Sequence, residues 1–234
     1  MIEILSPIFK GLMKLTGVLS IGLLLTLSFL DSDLKGGITN IKLVKKTKAF
    51  LLAWLLSTFA FILIQISYLL QQPLASSFDL TVIRSYLTQT AIGKSYIVQI
   101  IGIILLLSVA LRRVITTYLG LLIALIAIVA PVFQSHGSSS GRHGLAIGAL
   151  VIHVIALSFW VGGVIAIALL NQEDRKISLP RFSQIALWAA IAVVISGVIN
   201  ASARLNFAAA WSSSYAYVVI LKVLITFVLL YFGY

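Results

Sequence analysis

The chain carries three histidines, and they lie close together. His136 and His143 sit in the polar stretch SHGSSSGRHG (135–144), and His153 sits in the apolar run LAIGALVIHVIALSFWVGG that follows it directly. Cysteine is absent, which removes disulfides, thiolate metal sites and redox dithiols from consideration. An imidazole inside an apolar segment can bind a metal ion, ligate a haem iron, relay a proton, or only hydrogen-bond a neighbouring helix. His136 and His143 share a Ser/Gly-rich loop and can converge on one metal if that loop folds back, although their spacing matches no recognised zinc pattern. The two methionines, Met1 and Met13, cannot form a thioether ladder for Cu(I).

The elements that position these groups follow from composition. With 61% hydrophobic and 10% charged residues, a chain of 234 residues lies outside the range of soluble domains. Long apolar runs with short polar gaps predict helices, because a helix satisfies its own backbone groups in lipid. Barrel strands would instead alternate over shorter segments. The expected fold class is therefore all-α: a polytopic helical membrane protein of about seven spans, placed roughly at 11–30, 49–71, 95–111, 114–134, 144–170, 183–203 and 215–233. The first run is no cleavable signal, because it lacks a small-residue cleavage pattern and Asp31 and a lysine cluster follow it. The net charge of +11 could suggest nucleic acid, but the basic residues stand at the ends of apolar segments, so no nucleic-acid partner is expected.

Basic residues in the connections set the orientation. With the N-terminus outside and the C-terminus inside, Lys35, Lys42, Lys45, Lys46, Lys48, Arg112, Arg113, Arg175, Lys176 and Arg181 all fall on the inner side. Lys10 and Lys14 argue against that arrangement. The longest connection, Pro73 to Lys94, places Phe78, Val82 and Tyr86, and also Leu80, Ile83 and Leu87, at helical spacing, which predicts an interfacial helix on the outer face. A weak internal echo links TAIGKSYIVQ before the third span to SSYAYVVILK in the seventh.

On a helical projection of the fifth span, His153 shares a face with Ala149, Ala156, Leu157, Trp160 and Val164. Gly144, Gly148, Ser158, Gly162 and Ala166 line the opposite face, a small-residue ladder that admits a close neighbour. Two committed faces predict a central helix, with His153 about 13 Å below the outer surface. Gln65, Gln99, Asn200 and Lys222 fall at similar depth, and Ser196, Asn200 and Arg204 form one polar stripe on the sixth span. Together they predict a polar pocket open to the outside, lined by His153, Asn200 and Lys222 with Trp160 and Arg204 in support.

Several separate elements now occur in order: His136-Gly137, VIHVIALSFWVGG (151–163), PRFSQIALWAAIAVVISGVINA (180–201) and WSSSYAYVVILK (211–222), preceded by TAIGKSY (90–96). They resemble the CopD family of bacterial copper-resistance membrane proteins, which has a His-small pair in an outer loop and a helical His followed by Trp-x-Gly-Gly. The family also has an R-F-S lead-in to the next helix and a turn running into Leu-x-x-Lys. The resemblance covers roughly residues 90–234, while the first 90 share only hydropathy; Ala216 stands where the family usually has Gly. It implies a single CopD-like transmembrane domain over 1–234 in the bacterial cytoplasmic membrane, handling copper ion from the outer side. The implied ligands are His136 and His153, with His143 an extra histidine of this sequence, and the helix-packing positions are Gly144, Gly148, Gly162 and Gly163.

The resemblance further suggests a longer actinobacterial arrangement in which a cytochrome-oxidase copper-assembly part follows, consistent with the abrupt end at Tyr234. The implied partners are membrane lipid and either that assembly domain or a periplasmic or extracellular copper-binding protein. Two other functions compete. A haem-b redox protein would use His153 as axial ligand and Lys222 or Arg204 at the propionates. A non-catalytic assembly subunit would use the polar residues only to fix helix packing. No catalytic residue is assigned, and transport or metal binding is expected ahead of enzymatic activity. For the copper reading, Arg204 and Lys222 pose an electrostatic problem, because fixed cations in low dielectric repel a metal ion.

Overall fold

The computed structural model describes residues 2–27, 38–110, 118–134, 143–204 and 213–233. Among them every regular element is helical: α1 (Ile2–Leu25), α2 (Ile38–Leu70), α3 (Leu80–Gln89), α4 (Ala91–Ala110), α5 (Tyr118–Val129), α6 (His143–Ala168), α7 (Gln172–Arg204) and α8 (Ser214–Gly233). Among the described residues five stretches are long and apolar enough to cross a membrane: Ile4–Leu25, Lys42–Leu70, Ala91–Ser108, Gly144–Ala168 and Gln172–Ser202. Leu119–Gln134 and Ala216–Val228 are shorter apolar helices within the described residues. The protein is thus an all-α polytopic membrane protein, and its helices overlap the seven expected runs, with α1 beginning at Ile2 rather than at 11.

Two helices run further into charged sequence than hydropathy alone indicates. α2 starts at Ile38 and carries Lys42, Lys45, Lys46 and Lys48 in its first turns. α7 starts at Gln172, eleven residues before the expected 183, and continues through Pro180. Its start is set locally: the Asn171 side-chain oxygen accepts the Asp174 backbone N–H at 2.8 Å, and Glu173 and Asp174 place negative charge at the positive end of the helix. The preceding end of α6 is closed by cations, with the Arg175 guanidinium donating to the carbonyls of Ala168 and Leu170 and Lys46 Nζ donating to Leu169.

Cross-bonds give the helix directions. Ser6 meets Gln65 at 3.5 Å and Thr16 meets Ser57 at 3.1 Å, so α1 and α2 are antiparallel. Lys46, near the start of α2, reaches the end of α6, so α1 and α6 run parallel. We call the end of the bundle where α1 begins the near end, and the opposite one the far end.

At the far end α1 and α6 nearly touch. A Cβ on Gly22 would collide with the backbone of Gly162, and one on Gly162 would collide with the Val18 carbonyl. This is small-residue packing of the kind that brings membrane helices together without a hydrophobic driving force. α6 therefore lies between α1 and α7, committed on two faces. The deepest enclosure belongs to α1, which also packs on α2 and α5: 56% of its spanning window is buried, against 33% for α6.

The long connection after α2 is ordered by a 3₁₀ turn (Leu74–Phe78) and by α3, so a helix forms where the apolar spacing predicted one. Asp79 caps α3 by accepting the Thr81 N–H at 2.7 Å. Thr90 turns the chain into α4: its hydroxyl donates to the Tyr86 carbonyl and accepts the Gly93 N–H at 2.9 Å. A side chain on Gly93 would strike the end of α3, which gives the Thr-x-x-Gly spacing a steric cause. Tyr86 is buried against the core with its hydroxyl unpartnered, and burial pushes its pKa up to about 12.

Candidate functional site

His153 projects from α6 onto α7. Its Nδ1 lies 3.2 Å from the Val193 carbonyl and 3.0 Å from Ser196 Oγ. A carbonyl can only accept, so the contact with Val193 requires the proton on Nδ1. Ser196 agrees, because its single hydroxyl proton is directed at the Ala192 carbonyl, which leaves Oγ an acceptor towards the ring. Both partners thus select one tautomer, with a lone pair on Nε2 and no hydrogen bond from Nε2 to a described residue. An imidazole oriented through Nδ1 with Nε2 open is the usual arrangement of a metal-binding histidine before its ion arrives.

The helices set this geometry. Gly197 places no Cβ between α7 and the ring: a Cβ built there would lie 3.7 Å from His153 Cε1, ordinary contact distance. Asn200 stands one turn beyond Ser196 on α7, half-buried, and Arg204 ends the same helix. Trp160 is half-buried two turns along α6 from His153. Lys222 lies exposed on α8.

His153 and Ser196 are therefore brought together, and His153 faces a neighbouring helix. Lys14, which sequence reading treated only as an obstacle to the topology, lies on α1 at a similar depth. The signal that could have found it is depth: Lys14 precedes Gly22 by about 12 Å of helix and His153 precedes Gly162 by about 13.5 Å, and those glycines touch. Ser196 was visible as part of a polar stripe, and its pairing with His153 was not.

The small-residue ladder divides. Gly162 meets Gly22, and the adjacent Gly163 lies against the Phe182 ring. Gly144 and Gly148 do not pack: no atom lies within 4 Å of a Cβ built on either, because α1 and α6 diverge towards the near end. His143 is the first residue of α6 and its side chain falls outside the described residues, as do His136 and the side chain of Arg204. No group of three or more His, Cys, Asp or Glu side chains able to hold a metal occurs among the described residues. The haem reading gains no support either.

A second feature lies at the same end of the bundle. A cavity of about 610 Å³ opens between the α3–α4 junction and the end of α5 with the 3₁₀ turn that follows it. Gln89, Lys94, Ser95 and Gln134 are its polar residues, and Val98, Ile126, Val129 and Phe133 contribute to its apolar wall. Gln134 is the last described residue before the connection that carries His136.

A helical membrane bundle with an oriented imidazole between two of its spans defines the class. Two family models then match the chain: copper resistance protein D-like, N-terminal domain, over residues 1–145, and copper resistance protein D over residues 177–234. The chain belongs to the CopD family of copper-resistance membrane proteins. The N-terminal match takes in the first 90 residues, where the residues themselves had shown only hydropathy. Searches of curated proteins and of solved structures found no match.

Proposed function

We propose that this copper-resistance family protein receives copper ion at the outer face of the bacterial cytoplasmic membrane, with its near end outside, and assists uptake or delivery of the ion. His153 Nε2 is the ligand inside the bundle. His136 and His143, on the connection leading into α6, gather the ion at the surface and pass it inward. The whole chain acts as one CopD-like domain, supplied by a periplasmic or extracellular copper-binding protein or coupled to a copper-assembly domain of cytochrome oxidase.

The observation that carries this reading is the tautomer lock on His153. Two acceptors on α7 hold the Nδ1 proton, so Nε2 can accept a metal without reorientation or proton loss. Imidazole nitrogen suits copper in either oxidation state. The orientation is supported by the cations that close the far end, Lys46 and Arg175, together with Lys42, Lys45, Lys176 and Arg181 near the starts of α2 and α7.

The test is metal analysis with an absorption spectrum on the purified full chain. Stoichiometric copper without a Soret band is expected. His153→Ala should lose the tightly held ion while keeping its helical circular dichroism and elution volume, and His136→Ala should slow loading. Equal copper retention in His153→Ala would refute the assignment, and a Soret band lost in that variant would replace it with haem ligation.

A further inference from the structure

The cavity beside the α3–α4 junction is graded from polar to apolar along the helix axes. Its polar side chains stand where apolar sequence begins or ends. Gln89 closes α3, Lys94 and Ser95 lie in the first turns of α4, whose membrane-spanning stretch starts at Ala91, and Gln134 ends the apolar stretch Leu119–Gln134. The apolar wall lies deeper: Val98 stands about 10 Å along α4 from Ala91, and Ile126 about 12 Å along the chain from Gln134. α4 packs against α3, against α5 and against the 3₁₀ turn Ala130–Gln134, so the walls belong to one packed unit. The cavity is polar at the level where spans end and apolar towards the lipid tails, which is the polarity of a lipid molecule in its leaflet.

Its charge is one-sided. Lys94 is the only charged residue among the described residues that line it, and no acidic residue is among them. The Lys94 ammonium and the carboxamides of Gln89 and Gln134 make no hydrogen bond or ion pair to a described residue, whereas the Ser95 hydroxyl is committed to the Ile92 carbonyl. The connection that follows Gln134, residues 135–142, adds Arg142 and no carboxylate. Basic pockets between spans receive anionic headgroups. Val98, Ile126 and Phe133 are 44%, 52% and 55% exposed, so the apolar wall continues into surface that meets acyl chains. We propose that this cavity seats one anionic phospholipid, with its headgroup phosphate at Lys94 between the Gln89 and Gln134 carboxamides and an acyl chain along Val98 and Ile126. A free anion would leave the apolar wall uncovered, and a zwitterionic lipid brings an ammonium of its own towards Lys94. Neither His153 nor its partners on α7 line the cavity, so the site does not depend on the copper reading.

The full chain is reconstituted, copper-free, in phosphatidylcholine nanodiscs that contain a small share of either phosphatidylglycerol or phosphatidylcholine with a photoactivatable acyl chain. After irradiation the labelled residues are located by peptide mass spectrometry. The phosphatidylglycerol probe should label the segments around Val98 and Ile126 several-fold more than the phosphatidylcholine probe does. Lys94→Gln should bring the two probes level, and Lys94→Arg should keep the preference. Val98→Trp, at a half-exposed position with room for the larger ring, should cut the label by filling the wall while the thermal midpoint in phosphatidylcholine stays unchanged. Lys176→Gln, an exposed cation of α7 at the far end, should leave the preference as it is. Equal labelling by both probes, or a preference that survives Lys94→Gln, overturns the proposal. If added inorganic phosphate erases the preference, the cavity holds a free anion and the lipid is overturned as its occupant.

Discussion

The two halves of the α1–α6 pair are built on opposite principles. At the far end Ile21, Leu23, Leu24, Leu25 and Leu27 are all 1% exposed or less, and Gly22 and Gly162 bring the backbones together. At the near end the same two helices separate, α1 turns Ile4 and Ile8 outward, and polar groups appear between helices: His153 with Ser196, Ser6 with Gln65. Dispersion contacts are short-ranged, so a gap of an ångström already forfeits much of their strength. The closed half therefore holds the pair together, and the open half is free to carry groups that a packed core would reject. Site and scaffold occupy different lengths of the same helices.

Closing contacts should be the most sensitive. Gly22→Leu places four carbons where the Gly162 backbone lies, and the structure offers no space for them. The expected result is loss of the folded protein from detergent extracts. The smaller change Gly162→Ala should cost about 1–3 kcal/mol, as overpacking does elsewhere, and lower the thermal midpoint. If both variants extract and melt like the parent, the far end is not what holds α1 to α6.

A smaller effect is expected where α7 orients the imidazole. Ser196→Ala removes one of the two acceptors for the Nδ1 proton and leaves the Val193 carbonyl. Copper affinity should fall by about tenfold, the lower limit for an outer-shell partner, with the thermal midpoint nearly unchanged. Ser196→Thr, which keeps a hydroxyl, should recover most of the loss. A structural role alone would lower the midpoint and spare affinity, so the two readouts separate orientation from packing.

Much of the architecture was legible because lipid imposes one rule on every span: apolar length. That rule placed the spans, helical spacing placed α3, and the charged first turns of α2 and α7 escaped both; at α7 the start is set by the Asn171 cap and by carboxylates in the first turn, which leave no hydropathy signal. On α6 the periodicity correctly separated a His153 face from a glycine face. It could not distinguish Gly148 from Gly162, because the difference lies in α1, which carries a glycine opposite one and splays away from the other.

The finest probe of the two-halves comparison uses one substitution at two places on one helix. Gly148 and Gly162 lie on the same face of α6, fourteen residues apart. Alanine at 162 meets the Val18 carbonyl and the Gly22 backbone, whereas alanine at 148 meets nothing within 4 Å. Relieved of any steric cost, Gly148→Ala should show only the conformational term, which favours Ala over Gly within a helix by up to about 1 kcal/mol. Its thermal midpoint should therefore stay level or rise slightly while that of Gly162→Ala falls. Equal losses at both positions would mean that α1 and α6 stay closed along their whole length. The near-end opening would then have no place in the bundle.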